Sequence, residues 1–363
     1  MKSVTEFGSF FPLDPAVPLG GEAWVRPGDL LTGTGRDALR AMVAQGRSRG
    51  WRRLYAPSYY CHAVLDDIAG DIDVRMYPHA PFGGPAQLAL ADDEAAIVPE
   101  YFGLQAEVEV QGGSVLLDRS HDLLATWSYA RAPDYVFASL RKTLPVPDGG
   151  LVRPPPGQPF AGSLAPTPTH VRAAASMAAA MAMKAAYLAG AKVAKAAYLA
   201  LAAEAEGNLR SDAEISGPSA LTRVLAPAVD LGWMRQRRQE NLALLARCFA
   251  APHAAPHAGP HAGLPAGMQW RETPAFGILL CADAPQRERV RQRLIGADVY
   301  PAVLWPMTWP GVPDDNRRLS GRILVLHADY RYGPHDIGRL GEIILQIAAS
   351  IAANPDTSDE DRR

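Results

Sequence analysis

Two short apolar runs, Ser114–Leu117 and Tyr135–Ala138, each end in side chains able to do chemistry. The first delivers Asp118 and His121; the second delivers Ser139, Arg141 and Lys142. An amine such as Lys142 adds to a carbonyl carbon and can then carry a proton. It does so at neutral pH if burial or a neighbouring cation, here Arg141, brings its pKa down. Asp118 adds an anion, His121 an imidazole and Ser139 a hydroxyl. Each also has an ordinary reading. An Asp at a strand end can cap a helix, and a loop lysine is usually solvated.

The elements that would position these groups follow from the pattern around them. Runs this short, bounded by charged or turn residues, predict strands buried in a parallel sheet. Ligands of open α/β sheets bind at the C-terminal strand ends. Upstream, Arg53–Ala56, Ile72–Tyr77 and Ala95–Val98 read as further strands, and Val64, Leu65 and Ile68 mark one helical face. Before them, Thr32-Gly33-Thr34-Gly35-Arg36-Asp37 runs into the helical pattern Ala38, Leu39, Met42, Val43. A helix N-terminus offers free N–H groups and a positive dipole end, so Gly35, Arg36 and Asp37 are candidates to hold a phosphate. Asp37 alternatively caps the helix. Strands and helices alternate from about 33 to 152, which predicts a mostly parallel sheet with helices on both faces.

The flanking segments read differently. Residues 1–32 are rich in Pro and Gly, yet carry Phe7, Phe10, Phe11 and Trp24, apolar rings that need another surface to cover them. From Val171 the chain is Ala-rich and helical, with Met177, Met181 and Leu188 on a stripe and Lys184 expected to snorkel to the surface. Ser219 is placed to cap a helix, and Arg235–Phe249 reads as another, with Arg235, Arg237 and Arg238 on a solvated face. In Ala251–Gly263, each of His253, His257 and His261 follows a proline, so no helix aligns them as metal ligands and the segment reads as a linker. The remainder predicts a compact α+β unit. Its strands are Ala275–Cys281, Val299–Pro301 and Arg322–Leu326, and its helices Gln286–Leu294 and Asp336–Ile351; a polar tail follows. The expected division is an arm over 1–32, a large domain over 33–240, a small domain over 241–353 and a tail over 354–363.

Composition limits the partners. A net charge of −2 gives no basic field for nucleic acid or an anionic membrane. Cys61, Cys248 and Cys281 are too scattered for a disulfide framework or a zinc site. The first residues lack the apolar core of a signal peptide, and the Ala-rich stretch carries Lys184, Lys192 and Lys195, so it reads as a helix rather than a membrane span. The expectation is a cytoplasmic protein with a small-molecule substrate and no metal.

The motifs GTGRDAL at 33–39, PSYYC at 57–61, AIVPEYFGL at 96–104, LLDRSHDLL at 116–124 and FASLRKTLPVPDGGL at 137–151 together resemble fold-type-I pyridoxal-phosphate (PLP) aminotransferases. The branch they are most similar to is that of the DegT-like sugar aminotransferases. The resemblance implies an α/β fold: a mostly parallel sheet sandwiched by helices, with a smaller C-terminal α+β domain. It implies pyridoxal 5'-phosphate held as a Schiff base on Lys142. Asp118 would face the pyridine nitrogen, His121 the phenolic oxygen, and Ser139 the phosphate beside Gly35, Arg36 and Asp37. Tyr59 or Tyr60 would stack on the ring. A homodimer is implied, with sites at the subunit interface. The implied activity moves an amino group between an amino-acid donor and a keto acceptor such as a keto-sugar. A PLP-dependent lyase or decarboxylase, or a non-catalytic PLP-fold binding protein, are the alternatives. Glu100 departs from the His or Asn that the branch often carries there. For a substrate carboxylate, Arg322 resembles the carboxylate-binding arginine of aspartate-type aminotransferases. Arg331, in the loop after that strand, is the preferred candidate; a guanidinium binds carboxylate bidentately, and the alternative for either arginine is a local pair, since Asp329 lies two residues from Arg331.

Overall fold

A computed structural model describes residues 5–13, 17–160, 162–211, 214–250 and 263–353. The histidine-proline linker and the polar tail lie outside the described residues. The chain forms two units. One runs Phe10–Trp233; the other joins Thr5–Ser9 to the chain from Met234 onward. The first strand, β1 (Phe7–Gly8), belongs to the second unit.

The first unit contains, in order, β2 (Leu30–Thr32), α1 (Gly35–Ser48), β3 (Arg53–Pro57), α2 (His62–Leu65), β4 (Asp73–Tyr77), β5 (Ala86–Ala89), β6 (Glu94–Pro99), β7 (Val108–Gln111), β8 (Ser114–Asp118), β9 (Tyr135–Ser139) and β10 (Gly150–Arg153). Helices α3 (Pro168–Leu188), α4 (Lys195–Ser211) and α5 (Ala220–Ala228) follow. The main sheet has seven strands in the order β2-β10-β9-β8-β6-β3-β4. From β9 to β4 all neighbours are parallel; β10 runs antiparallel to β9 and β2. The apolar run of β6 explains its central place, because all six of its residues are buried. At the edge, β4 carries exposed Asp73 and Arg75, and charge of this kind discourages pairing with a further strand. Ala96, Val98, Val115 and Leu117 recur every second residue, so they share one sheet face. There they pack with Leu88 and Val110 from the small parallel sheet of β5 and β7. Each fully buried apolar side chain of this kind contributes about 1.5–3 kcal/mol.

The second unit contains most of α6 (Leu231–Phe249), then β11 (Gln269–Glu272), β12 (Gly277–Leu280), α7 (Ala284–Gly296), β13 (Val299–Tyr300), α8 (Asp314–Arg322), β14 (Ile323–Leu326) and α9 (Pro334–Ala353). β11, β12 and β14 form an antiparallel sheet, and β1 pairs in parallel with β13. Ile337, Leu340, Ile344, Ala348 and Ile351 give α9 one apolar stripe, which packs with Val290 and Leu294 of α7.

One expectation is met here and one is corrected. The rings of the N-terminal segment are covered by their own chain. Phe7 lies in the core of the second unit with its centroid 5.0 Å from Tyr332. Phe10 meets Tyr198 edge-on at 6.1 Å, and the Trp24 indole donates to the Ala226 carbonyl at 3.1 Å. Lys184 is buried rather than snorkelling. Its ammonium donates to the Phe10 carbonyl at 2.8 Å and sits 4.7 Å from the Phe10 ring centroid. A backbone acceptor and an aromatic face take the place of solvent, which is how a lysine can occupy an apolar stripe.

Candidate active site

The parallel strands place their C-terminal ends side by side. Pro99 pairs in register with Asp118, and Asp118 with Phe137, so Glu100, Asp118 and Ser139 stand along one edge. Backbone bonds continue the ladder past the strands. Glu100 N–H donates to the Asp118 carbonyl at 3.0 Å, and Arg119 N–H to that of Phe137 at 2.8 Å. The Ser139 N–H donates to Ser120 Oγ at 3.1 Å, tying the two chemistry-bearing ends together.

Asp118 is buried, and its two oxygens face different donors. Oδ1 accepts from the Ser120 N–H at 2.7 Å, and Oδ2 accepts the Tyr60 hydroxyl. Burial and the neighbouring Asp118 charge hold Tyr60 well above the usual phenol range, so it remains a donor. A carboxylate has about four lone-pair positions, so Asp118 keeps acceptor capacity for a cationic ligand group.

Lys142 ends a 3₁₀ turn, Leu140–Lys142, that follows β9 directly. The loop is closed where Leu140 N–H donates to the Gly149 carbonyl at 3.0 Å. The side chain is exposed, yet the protein around it desolvates the ammonium. Desolvation lowers its pKa. Asp118 and Cys61 act against this, and Arg141 and Arg36 reinforce it. A lowered pKa raises the fraction of free amine at a given pH, which is the nucleophilic form.

His121 is held neutral. Burial, then the nearby Lys142 charge, pushes its pKa well below the ordinary value. Its Nδ1 accepts from the Phe102 N–H at 3.0 Å, which leaves the proton on Nε2. The ring stacks on Phe102 with centroids 5.3 Å apart. Phe102 reaches this geometry with φ of 55°, a left-handed conformation costing a non-glycine residue about 1–2 kcal/mol. Glu100, one turn earlier, is fully buried. It accepts from Arg119 at 3.1 and 3.2 Å and from the Tyr129 hydroxyl at 2.8 Å. Burial raises its pKa, opposed by Arg119 and Tyr129. The residue that departs from the resembled branch thus has a local partner set that shapes the turn holding His121.

At the start of α1, Thr34 caps the helix. Its hydroxyl oxygen accepts from the Asp37 N–H at 3.1 Å and donates to Asp37 Oδ2 at 2.8 Å. Asp37 therefore acts as the capping partner; burial, the largest influence, raises its pKa. Arg36 is paired with Asp67 and donates to the Ala63 carbonyl at 2.8 Å. What α1 offers an anion is backbone: the N–H groups of Gly35 and Arg36 precede the first intrahelical bond. A Cβ on Gly35 would lie 2.9 Å from Ser139 Cβ, so only glycine lets the helix end approach Ser139. Tyr59 is wholly buried and meets Tyr101 edge-on at 5.9 Å, whereas Tyr60 reaches Asp118. In the second unit, Arg331 donates to Asp329 at 2.8 and 2.7 Å and to the Gly8 carbonyl at 3.1 Å. Arg322 Nε donates to the Cys281 carbonyl at 2.7 Å.

Sequence reasoning missed the group that holds the loop entering α1. Asp148, fully buried, accepts from Ser219 N–H at 2.6 Å, Ser219 Oγ at 2.7 Å and the Thr222 hydroxyl, and bonds His170 Nε2 at 2.7 Å. Burial pushes its pKa up but is outweighed by His170, Thr222 and Ser219, and the net shift is downward. His170 closes over Gly33, where a Cβ would lie 2.5 Å from its ring. Only the cap at Ser219 had a signal in the sequence; Asp148 and His170 meet through chain reversals that no local pattern announces. Among the described residues there is no cluster of three metal-binding side chains and no helix long and apolar enough to cross a membrane.

No family model matches the chain, and no curated protein matches it by sequence. Solved structures do. The chain is similar to Spr1654 of Streptococcus pneumoniae, described as a sugar aminotransferase, in its PLP form. The TM-score is 0.56 at 10% identity, over 95% of this chain and 99% of that one. The same protein in its PMP form matches at 0.56 and 9% identity, over 97% and 100%. Helicobacter pylori PseC, an aminotransferase involved in the biosynthesis of pseudoaminic acid, matches at 0.55 and 10% identity, over 95% and 100%. The likeness shows the fold, which is that of the fold-type-I PLP transferases.

Proposed function

We propose that a chain with this fold and this strand-end constellation is a PLP-dependent aminotransferase, moving an amino group between an amino-acid donor and a keto acceptor. The observation that carries the reading is the lowered pKa of Lys142 within range of the buried Asp118 carboxylate at the C-terminal edge of parallel strands. The residues fit the cofactor. Lys142 is an amine whose pKa is lowered, Asp118 a buried carboxyl with acceptor capacity, and His121 a neutral donor at Nε2. The Gly35–Ser139 approach joins a helix N-terminus to a hydroxyl. When bound, PLP supplies an electrophilic aldehyde and an electron sink. Lys142 would hold the aldehyde and later move a proton at Nζ; Asp118 would keep the ring nitrogen protonated; His121 would donate toward the phenolic oxygen. The keto-sugar acceptor is supported by the description of Spr1654 as a sugar aminotransferase.

The test is direct. Purified protein should show a visible absorbance band, and borohydride reduction should leave a pyridoxyl mass on the peptide containing Lys142. Added L-glutamate should bleach the band with release of 2-oxoglutarate. An unmodified Lys142 peptide sinks the cofactor; ammonia or carbon dioxide release with the band restored replaces transfer by a lyase or decarboxylase.

We also propose a homodimer, now on different residues. Leu221 and Val224 of α5, one helical turn apart, and Leu19, which bridges to Val229 just after it, leave large apolar side chains exposed on the first unit; Val224 is 70% exposed. Val224→Asp should shift the sedimentation-equilibrium mass toward one chain. Wild-type protein that sediments as a monomer at micromolar concentration would end this proposal.

A further inference from the structure

The Ala-rich helices have no part in the chemistry above, yet one of them reaches the residue beside Lys142. Glu206 of α4 takes the Arg141 guanidinium in a two-point pair: Nη1 donates to Oε1, and Nη2 to Oε2 at 3.3 Å. This is the fork by which arginine recognises a carboxylate. The pair is open to solvent, with side-chain exposures of 24% for Arg141 and 37% for Glu206. The Arg331–Asp329 pair, by contrast, is closed at 7% and 14%. Partly exposed ion pairs contribute little net stability, so exchanging the carboxylate at Arg141 costs little.

Two further observations distinguish this pair from a simple tether. Burial pushes the Glu206 carboxyl up, but Arg141, Arg210 and Arg36 together hold it below the ordinary value. Three guanidinium groups act on one carboxylate, and of these Arg36 also pairs with Asp67. Arg141 also keeps a buried Nε–H with no hydrogen-bond partner among the described residues. The neighbourhood is rich in cationic donors, and its resident anion has the shape of an amino-acid carboxylate.

We propose that Arg141 is the seat for the carboxylate of the amino donor, and that Glu206 occupies that seat until the donor displaces it. The inference rests on the aminotransferase reading for the identity of the ligand, and on Arg141 and Glu206 alone for its place. Arg141 directly precedes Lys142 on the turn after β9, and its charge acts on the Lys142 ammonium. Arg141 is better suited to this than Arg331, whose fork Asp329 fills in a closed environment.

The experiment measures succinate binding to the purified protein by calorimetry, alongside the mass of the borohydride-reduced Lys142 peptide. Succinate carries the carboxylate and no amine, so it reports the seat without turnover. Arg141→Gln should weaken succinate binding about tenfold to a hundredfold, the scale of lost hydrogen bonds to a charged group. Glu206→Gln should tighten it severalfold, a gain that misfolding cannot produce. Both variants should still carry the pyridoxyl mass. Unchanged succinate affinity in Arg141→Gln, weaker binding in Glu206→Gln, or inorganic phosphate binding in preference to succinate would overturn the seat. A missing pyridoxyl mass in wild-type protein, with succinate binding still lost in Arg141→Gln, would instead overturn the cofactor reading and leave the seat standing.

Discussion

Lys142→Ala is expected to remove the borohydride-trapped adduct and to slow conversion of the amino donor by at least about 10³-fold, because in the proposed reaction one side chain would serve as both nucleophile and proton carrier. The expectation follows from position and electrostatics together. Lys142 ends the turn leaving β9, burial pushes its ammonium pKa down, and Arg141 and Arg36 reinforce that shift against Asp118 and Cys61. Any cofactor that stays bound should do so without a covalent link, so gel filtration should strip the visible band from the variant faster than from wild type. A small primary amine added at high concentration should restore part of the donor conversion, since the missing group is an amine. A variant that keeps both the adduct and a rate within about tenfold of wild type would show that another lysine carries the chemistry.

The second large effect is on stability. Asp148→Ala is expected to cost about 3–5 kcal/mol, the scale for removing one partner of a buried charged network. The loss is large because the buried His170 and Thr222 and the half-buried Ser219 would each keep a polar group whose acceptor has gone. Asp148→Asn should lose less, since the amide oxygen still accepts. Urea unfolding followed by circular dichroism measures both. The pH dependence carries a second signature. The Asp148 pKa is depressed in the folded chain, so its stabilisation is fully present above the ordinary aspartate value of about 3.9 and is lost as pH falls through the folded value. Wild-type stability should therefore fall more steeply below about pH 4 than that of Asp148→Ala. Equal stability of wild type and Asp148→Ala at pH 7 would contradict the network.

The legible part of the fold was the part with its own local signal. The runs ending at Asp118 and Ser139 are short, apolar and bounded, and β8 and β9 extend them by only a residue. The stripe from Ile337 to Ile351 has helical period, and α9 follows it. β10 was not foreseen: Gly150–Arg153 follows a run of Pro, Asp and Gly, and becomes a strand only because β9 and β2 offer it partners. Lys184 was misplaced because its sequence neighbours cannot show that the Phe10 carbonyl waits opposite. In the candidate site the same division holds. Asp118 and Lys142 announce themselves by type and by the strands they end. Tyr60 could be told from Tyr59 only by knowing which hydroxyl reaches Asp118. Arg36 and Asp37 were placed at the right helix end, but their side chains are engaged by Asp67 and Thr34 and leave the backbone to face an anion.

The hydrogen bond from the Gly33 N–H to the Ser216 carbonyl, at 2.7 Å, sets a clock on synthesis. The loop entering α1 emerges from the ribosome early, but its clamp does not. Asp148 must wait for Ser219 and Thr222, and Gly33 for Ser216. At about 5–20 residues per second, Gly33 waits roughly 10–40 s of translation for Ser216. Until then the helix end that would receive a phosphate has its glycines but not its walls. A nascent chain can thus display β3, β6 and β8 in order and still be unable to retain a cofactor.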